Sequence, residues 1–187
     1  MLIRTLAASD AAALLAFELE NRAWFEANVN ARSPDFYHPA GVTAHIDDCL
    51  QRLADGTMHP NLLLDSDGAI VGRCNLKDID RAAGRTEVGY RIARTACGRG
   101  LAGVALRHLM ELAYGQWQLT GLDGYVTVAN AASARVLQRA GFTFAGPATH
   151  QAHVDGRTLD CLHYYHQPLA QMLDQKANGG HANSKHP

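Results

Sequence analysis

A chain of 187 residues, 47% hydrophobic and 19% charged, is long enough to form one compact domain with a buried core. The formal net charge of −1 gives no basic field, so the composition argues against direct binding of nucleic acid. The sequence contains no apolar run near the roughly 18 residues of a membrane span, and its four cysteines include no C-x-x-C pair, so we expect a reduced, cytoplasmic protein with no membrane partner.

The first part of the chain predicts a strand followed by two helices. A short N-terminal strand leads into a helix with Asp10 as its N-cap and with Leu14, Phe17, Leu19 and Ala23 on its apolar face. A loop containing SPDFYHP follows. A second helix is predicted over about 42–54 and ends at Gly56, a typical C′ glycine.

The apolar period then changes to that of strands. NLLLDSDGAIVGRCNLKDI predicts a hairpin with Asp67-Gly68 at its turn, and TEVGYRIAR predicts a long strand over 86–94. A helix, a strand and a helix stopped at Gly141 follow, and two strands are expected near 142–150 and 159–167. The order β-α-α-β-β-β-α-β-α-β-β predicts one α/β domain with a mixed sheet. We place this domain at 1–170 and a flexible tail at 171–187.

The segment CGRGLAGV contains Gly98, Gly100 and Gly103 in the spacing G-x-G-x-x-G, which is the fingerprint of dinucleotide-binding folds. In such folds the glycines follow the first strand, and an acidic residue about 20 positions later ends the next strand. Asp123 lies at that separation, but it precedes the apolar strand YVTV instead of ending it. The pattern therefore disfavours NAD. It still predicts a strand, a glycine turn and a helix start whose amides bind phosphate oxygens, with Arg99 adding charge. The alternative interpretation is that these glycines only allow the helix to pack closely against the strand.

Two longer motifs resemble a known family. EVGYRIARTACGRGLA, followed one strand later by VANAASARVLQRAGF, resembles the GCN5-related N-acetyltransferases (GNAT). EVGYRI and the pattern N-x-x-S-x-x-V-L-x-x-x-GF, from Asn130 to Phe142, resemble the ribosomal-protein-alanine branch of RimJ/RimL type. The resemblance implies a mixed, mostly antiparallel sheet flanked by helices, with a central β-α-β unit that binds acetyl-CoA. It also implies a homodimer.

The resemblance further implies acetyl-CoA as cosubstrate and no metal. The family's loop Q/R-x-x-G-x-G/A overlays CGRGLA, with Cys97 where glutamine or arginine is usual. The backbone N–H of Ile92 is expected to bind the acetyl oxygen or the pantetheine arm. The full set of expected cofactor-binding residues is Ile92, Gly98, Arg99, Gly100, Leu101, Ala102 and Asn130.

The implied reaction is direct attack of an amine on the thioester. Glu87 is the first candidate base, unless it only pairs with Arg85 or Arg73; His153 and a water molecule are the alternatives. The tyrosine that serves as general acid in much of the family is replaced by Leu137, so Ser133 is the expected donor to the thiolate, unless it only caps a helix.

The expected acceptor is the α-amine of a protein N-terminus, ribosomal-protein-like. Its pKa near 8, against about 10.4 for lysine, makes it easier to deprotonate at neutral pH. Trp24, Phe36 and Tyr37 are expected either to line the acceptor cleft or to be core aromatics. A small-molecule amine as acceptor and a non-catalytic acyl-CoA-binding protein are the alternative functions.

Overall fold

The structure is a computed structural model that describes residues 1–29, 31–154 and 156–168. The predicted tail at 171–187 and the boundary at 170 lie outside the described residues, so both stay predictions. The described part of the chain contains no helix that is long and apolar enough to cross a membrane.

Seven strands form one sheet in the order β1-β2-β3-β4-β5-β7-β6. The strands are β1 (Leu2–Thr5), β2 (His59–Leu64), β3 (Ile70–Asp80), β4 (Arg85–Ile92), β5 (Gly121–Thr127), β6 (Thr143–Val154) and β7 (Arg157–His166). Neighbouring strands pair antiparallel apart from β4 and β5, which are parallel and joined through a helix. The predicted mixed, mostly antiparallel sheet with a central β-α-β unit is therefore confirmed.

Helices cover both faces of the sheet. They are α1 (Ala11–Glu20), α2 (Arg22–Glu26), α3 (Pro39–Ala54), α4 (Leu101–Glu111) and α5 (Ala131–Arg139). Because side chains alternate along a strand, β3 and β4 present Arg73, Asn75, Lys77, Glu87 and Arg91 on one side, here called the Glu87 face. Val88 and Tyr90 lie on the opposite side, the Tyr90 face. Contacts from Arg73 to Glu18 of α1 and His45 of α3 place those helices over the Glu87 face, and a contact from Tyr90 to Ser133 places α5 over the Tyr90 face.

The core lies between the sheet and these helices, with Leu62, Leu76, Leu106, Leu109 and Leu122 fully buried. Gly124 of β5 allows α5 to approach closely, since a Cβ at this position would lie 3.0 Å from the side chain of Leu137. Leu137 is itself buried, so the residue at the family's tyrosine position is a core residue in this protein.

Two predicted helices differ in detail from the structure. The first predicted helix is interrupted at Asn21, whose side chain donates to the Phe17 carbonyl and accepts from the Arg94 N–H. Leu19 is not part of an apolar face, because it is 48% exposed. The second helix begins at Pro39, earlier than predicted, since proline fits the first turn of a helix.

Candidate active site

The central feature is an opening between β4 and β5. The two strands pair only from Arg85↔Gly121 to Glu87↔Asp123, whereas β4 stays paired with β3 as far as Ile92. The N–H of Ala93 donates to Val71 on the β3 side (2.9 Å). Because alternate residues of an antiparallel strand direct their N–H groups to opposite sides, the N–H of Ile92 points toward the opening. The Ile92 N–H needs this direction if it is to bind the acetyl oxygen or the pantetheine arm, as expected from the sequence.

A cavity of about 360 Å³ occupies this opening and reaches both faces of the sheet. Side chains of the Glu87 face, the Tyr90 face and the start of α5 contribute to one continuous lining, which includes Asn75, Lys77, Glu87, Tyr90, Asn130 and Ser133. Two predicted catalytic residues, Glu87 and Ser133, therefore line the same cavity from opposite faces of the sheet.

Glu87 forms a cross-strand ion pair with Lys77, its register partner on β3. The two candidate partners named from the sequence are engaged elsewhere: Arg85 pairs with Asp123, and Arg73 pairs with Glu18. The Glu87 side chain is 19% exposed and the Lys77 side chain 36%. This ion pair therefore stays open to solvent, and Glu87 presents its carboxylate to the cavity.

On the Tyr90 face, the hydroxyl of Tyr90 donates to the Ser133 hydroxyl oxygen over 3.2 Å. Burial raises the pKa of Tyr90, so its phenol keeps the proton. The Asn130 side chain caps α5 by accepting from the Ser133 N–H (3.1 Å), which leaves the Ser133 hydroxyl available. Sequence analysis missed Tyr90, although the residue lies within EVGYRI and alternation places it opposite to Glu87.

The glycine turn lies at the start of α4. Gly98 and Gly100 both have φ of +76°, a conformation that favours glycine. Gly100 is the N-cap of α4, and no side chain caps this helix end. Since the first bond within the helix runs from Val104 to Gly100, the N–H groups of Leu101, Ala102 and Gly103 are available to an anion. A Cβ at Gly98 or Gly100 would meet nothing within 4 Å. The geometry fits a phosphate-bearing ligand.

The side chain of Cys97 turns back toward the preceding strand. Its thiol donates to the Ala93 carbonyl over 3.3 Å, and burial raises its pKa. Arg99 is exposed beside it on the glycine turn. Arg99 is therefore the side chain of this turn that is placed to supply a positive charge.

The other predicted site residues lie in different environments. The Trp24 indole donates to the Ile92 carbonyl (3.2 Å), which places Trp24 at the end of β4. Phe36 and Tyr37 are buried; Phe36 lines a second cavity instead of the central one, and Arg22 lies over the Tyr37 ring. His153 pairs with Thr158 in the hairpin of β6 and β7, but its side chain lies outside the described residues. Its role as base stays a prediction.

Metal-binding residues do not cluster in the described part of the chain, where no group of three or more His, Cys, Asp or Glu side chains could hold an ion. The expectation that the reaction uses no metal stays a prediction.

Comparison with known protein sequences supports the assignment of this chain to the acetyltransferases. The family model of the acetyltransferase (GNAT) domain matches residues 1–143. Over 170 residues the chain is 31% identical to the probable N-acetyltransferase YjcK of Bacillus subtilis, which covers 90% of this chain and 91% of that protein.

Solved structures show the same fold. The ribosomal-protein-S5-alanine acetyltransferase from Vibrio fischeri has a TM-score of 0.83 at 20% identity, covering 88% of this chain and 91% of that one. RimJ from Mycobacterium smegmatis in complex with CoA-disulfide has a TM-score of 0.82 at 23% identity, covering 95% and 88%. The spermidine N-acetyltransferase SpeG from Vibrio cholerae, at 18% identity, reaches 0.72 and covers 94% and 99%.

At these identities the structural likeness shows the fold alone, and it includes enzymes with different acceptors. The family model and the YjcK match carry the assignment, since each spans most of the chain. The chain therefore belongs to the GNAT family of acetyltransferases and resembles its RimJ/RimL type.

Proposed function

We propose that this protein transfers the acetyl group of acetyl-CoA directly to the α-amine of a protein N-terminus. The opening between β4 and β5 carries this proposal, because Glu87 and the Tyr90–Ser133 pair line it from opposite faces of the sheet. An amine that approaches Glu87 and a thioester that lies against Ser133 would meet in this opening.

Acetyl-CoA, as cosubstrate, supplies the thioester. The amides of Leu101, Ala102 and Gly103 at the start of α4 would bind its phosphate groups, supported by the charge of Arg99. The Ile92 N–H would donate to the pantetheine arm of acetyl-CoA, because Ile92 lies five residues, about 16 Å along β4, from Glu87, where the amine approaches.

Glu87 would act as the general base, directly or through a water molecule. It accepts one proton from the attacking amine while the new C–N bond forms. An α-amine has a pKa near 8, so a sizeable fraction is already neutral at pH 7 to 8, and the base is needed for the proton that the amine nitrogen loses as the C–N bond forms. The ammonium of Lys77 contacts Oε1 of Glu87, and both side chains are partly exposed, so the carboxylate stays accessible beside it.

Ser133 would stabilise the leaving group. As the C–S bond breaks, its hydroxyl donates a hydrogen bond to the thiolate, and the Tyr90 hydroxyl donates to the Ser133 oxygen (3.2 Å). Burial raises the pKa of Tyr90 and disfavours a phenolate, so Tyr90 orients Ser133 and keeps its own proton. The thiolate is then protonated from solvent. In much of the family a tyrosine acts as the general acid, but buried Leu137 occupies that position here. The Tyr90–Ser133 pair would take over its role.

The ribosomal N-acetyltransferases among the similar proteins support a protein N-terminus as acceptor. A small-molecule amine is the second candidate, because SpeG shares the fold. Family membership argues against a non-catalytic acyl-CoA-binding protein.

The test is an acetylation assay with acetyl-CoA and three acceptors: peptides starting with Ala or Ser, an N-blocked lysine peptide, and spermidine. Intact mass and fragmentation locate the added acetyl group. We expect acetylation of the peptide α-amine, a loss of kcat of about a hundredfold in Glu87→Gln, and a smaller loss in Ser133→Ala. Acetylation of spermidine alone would overturn the N-terminal proposal, and full activity of Glu87→Gln would overturn the assignment of the base.

A further inference from the structure

Glu18 of α1 is fully buried and lies within ion-pairing distance of three arginines. Its Oε1 accepts from Arg73 (2.8 Å) and from Arg32 (3.3 Å), and its Oε2 lies 3.4 Å from Arg91. We call these four residues the arginine cluster. Arg91 also lies over the Phe25 ring and makes further contacts. The unbalanced positive charge therefore concerns Arg32 and Arg73, which face the single carboxylate of Glu18. Among the described residues, these two guanidinium groups share one carboxylate oxygen and have no second carboxylate.

His45 does not correct the imbalance. Its Nε2 lies 2.9 Å from an Arg73 nitrogen, and because arginine can only donate, Nε2 is the unprotonated acceptor and the ring is neutral. Burial and repulsion from Arg73 lower the pKa of Arg32 to about 10, which is still well above neutral pH. The cluster therefore keeps an excess of positive charge.

Two hydrogen-bond donors in the cluster have no partner. The Nε atoms of Arg73 and Arg32 are buried and unbonded. The Arg73 side chain is only 3% exposed, so solvent hardly reaches it. Unpartnered buried N–H groups of this kind are costly and uncommon. Both residues line the central cavity, and the Arg32 side chain, 19% exposed, is the more accessible of the two to a ligand in that cavity.

We propose that the arginine cluster is an anion subsite that binds a carboxylate of the acceptor, so that this enzyme selects acidic N-terminal segments. This inference rests on the proposed function. A carboxylate can accept from two guanidinium groups at once and would supply both the missing charge and the missing acceptors.

The spacing of the two sites indicates where the carboxylate lies in the acceptor. Glu87 and Arg91 are four residues apart on the same face of β4, and Arg73 is the register partner of Arg91. A strand advances about 3.3 Å per residue, so the base and the cluster are roughly 13 Å apart along the sheet. An extended peptide covers this distance in about four residues, and the arginine side chains shorten it. The acidic side chain therefore belongs to the third or fourth residue, and the carboxylate of a free amino acid is too close to its amine.

The same charges disfavour a polyamine. Lys77 and Arg52 also line the cavity on the Glu87 face, but each has a carboxylate partner, Glu87 and Asp78 respectively. A polycation would therefore meet its main repulsion at Arg32 and Arg73.

The experiment compares three C-terminally amidated peptides with the same first two residues, Ala-Gly, followed by Glu-Glu, Gln-Gln or Lys-Lys. We expect kcat/KM for the acidic peptide to exceed that for the neutral peptide by ten- to a hundredfold, the range of charge-assisted hydrogen bonds, and mainly through KM. The basic peptide and spermidine should be poorer than the neutral peptide.

Arg32→Gln should reduce the ratio between acidic and neutral peptides toward one, and Arg32→Lys should retain part of it. Arg32 is preferred over Arg73 because its side chain is 19% exposed and its loss leaves Glu18 with two arginines. Arg139→Gln is the matched control, because it removes an equal charge at an exposed position of α5. This variant should keep the wild-type ratio of kcat/KM between the acidic and neutral peptides.

Equal kcat/KM for the acidic and neutral peptides, a preference for the basic peptide, or an unchanged ratio in Arg32→Gln would overturn the anion subsite while leaving N-terminal acetylation intact. If no peptide α-amine is acetylated, the proposed function fails and the subsite fails with it.

Discussion

His45 makes the stability of the protein depend on pH in a way that one substitution can isolate. Burial, followed by repulsion from Arg73 and Arg32, lowers the pKa of His45 to about 3 in the folded protein, whereas an unfolded histidine titrates near 6.5. Below about pH 6.5 the unfolded chain therefore binds a proton that the folded protein does not take up. Because a depressed pKa contributes stability that is lost as the pH falls, this contribution declines from about pH 6.5 toward pH 3.

The magnitude follows from the linkage relation. The slope approaches about 1.4 kcal/mol per pH unit for one proton, so between pH 6.5 and 4.5 the wild type should lose about 2 kcal/mol through this group. His45→Gln retains an acceptor for Arg73 and does not titrate. The assay is urea unfolding followed by circular dichroism, with the free energy of unfolding measured from pH 7.5 to 4.5.

Other titrating groups cancel when the two proteins are compared at each pH. We expect the free-energy difference between wild type and His45→Gln to shift by about 2 kcal/mol in favour of the variant between pH 7.5 and 4.5. Parallel curves over this range would show that His45 takes up its proton at the same pH in the folded and the unfolded protein, which would contradict an Nε2 held unprotonated beside Arg73.

Three further outcomes are expected from contacts around the site. Glu18→Gln leaves the arginines without their buried counter-charge and should lower the free energy of unfolding by about 3–5 kcal/mol; a loss below about 1 kcal/mol in urea unfolding would contradict the buried ion pairs. Gly100→Ala places a side chain at φ +76° and should raise KM for acetyl-CoA several-fold with little change in KM for the acceptor, as steady-state kinetics would show. Tyr90→Phe removes the hydrogen bond to Ser133 and should lower kcat about two- to tenfold, whereas an unchanged kcat would exclude a positioning role.

Local patterns were sufficient to predict the order of the elements and the glycine turn. Apolar periodicity reflects the geometry of single strands and helices, and the positive φ of Gly98 and Gly100 is a property of one short turn. The same reasoning failed at Asn21. The break of the first helix there depends on a hydrogen bond to the Arg94 backbone, from a segment 73 residues away.

The sequence by itself determined the α/β order, the glycine turn before the central helix, and Glu87 and Ser133 as candidates. Only the tertiary structure decided which side chains meet them. Tyr90 reaches Ser133 across 43 residues, and Arg73 reaches Glu18 across 55. Such contacts depend on strand register and on the face that each helix covers, and both are set by long-range pairing that no short sequence window contains. The folding of the chain also brings arginines that are distant in sequence to one cavity, so the cavity is positively charged although the whole chain has a net charge of −1.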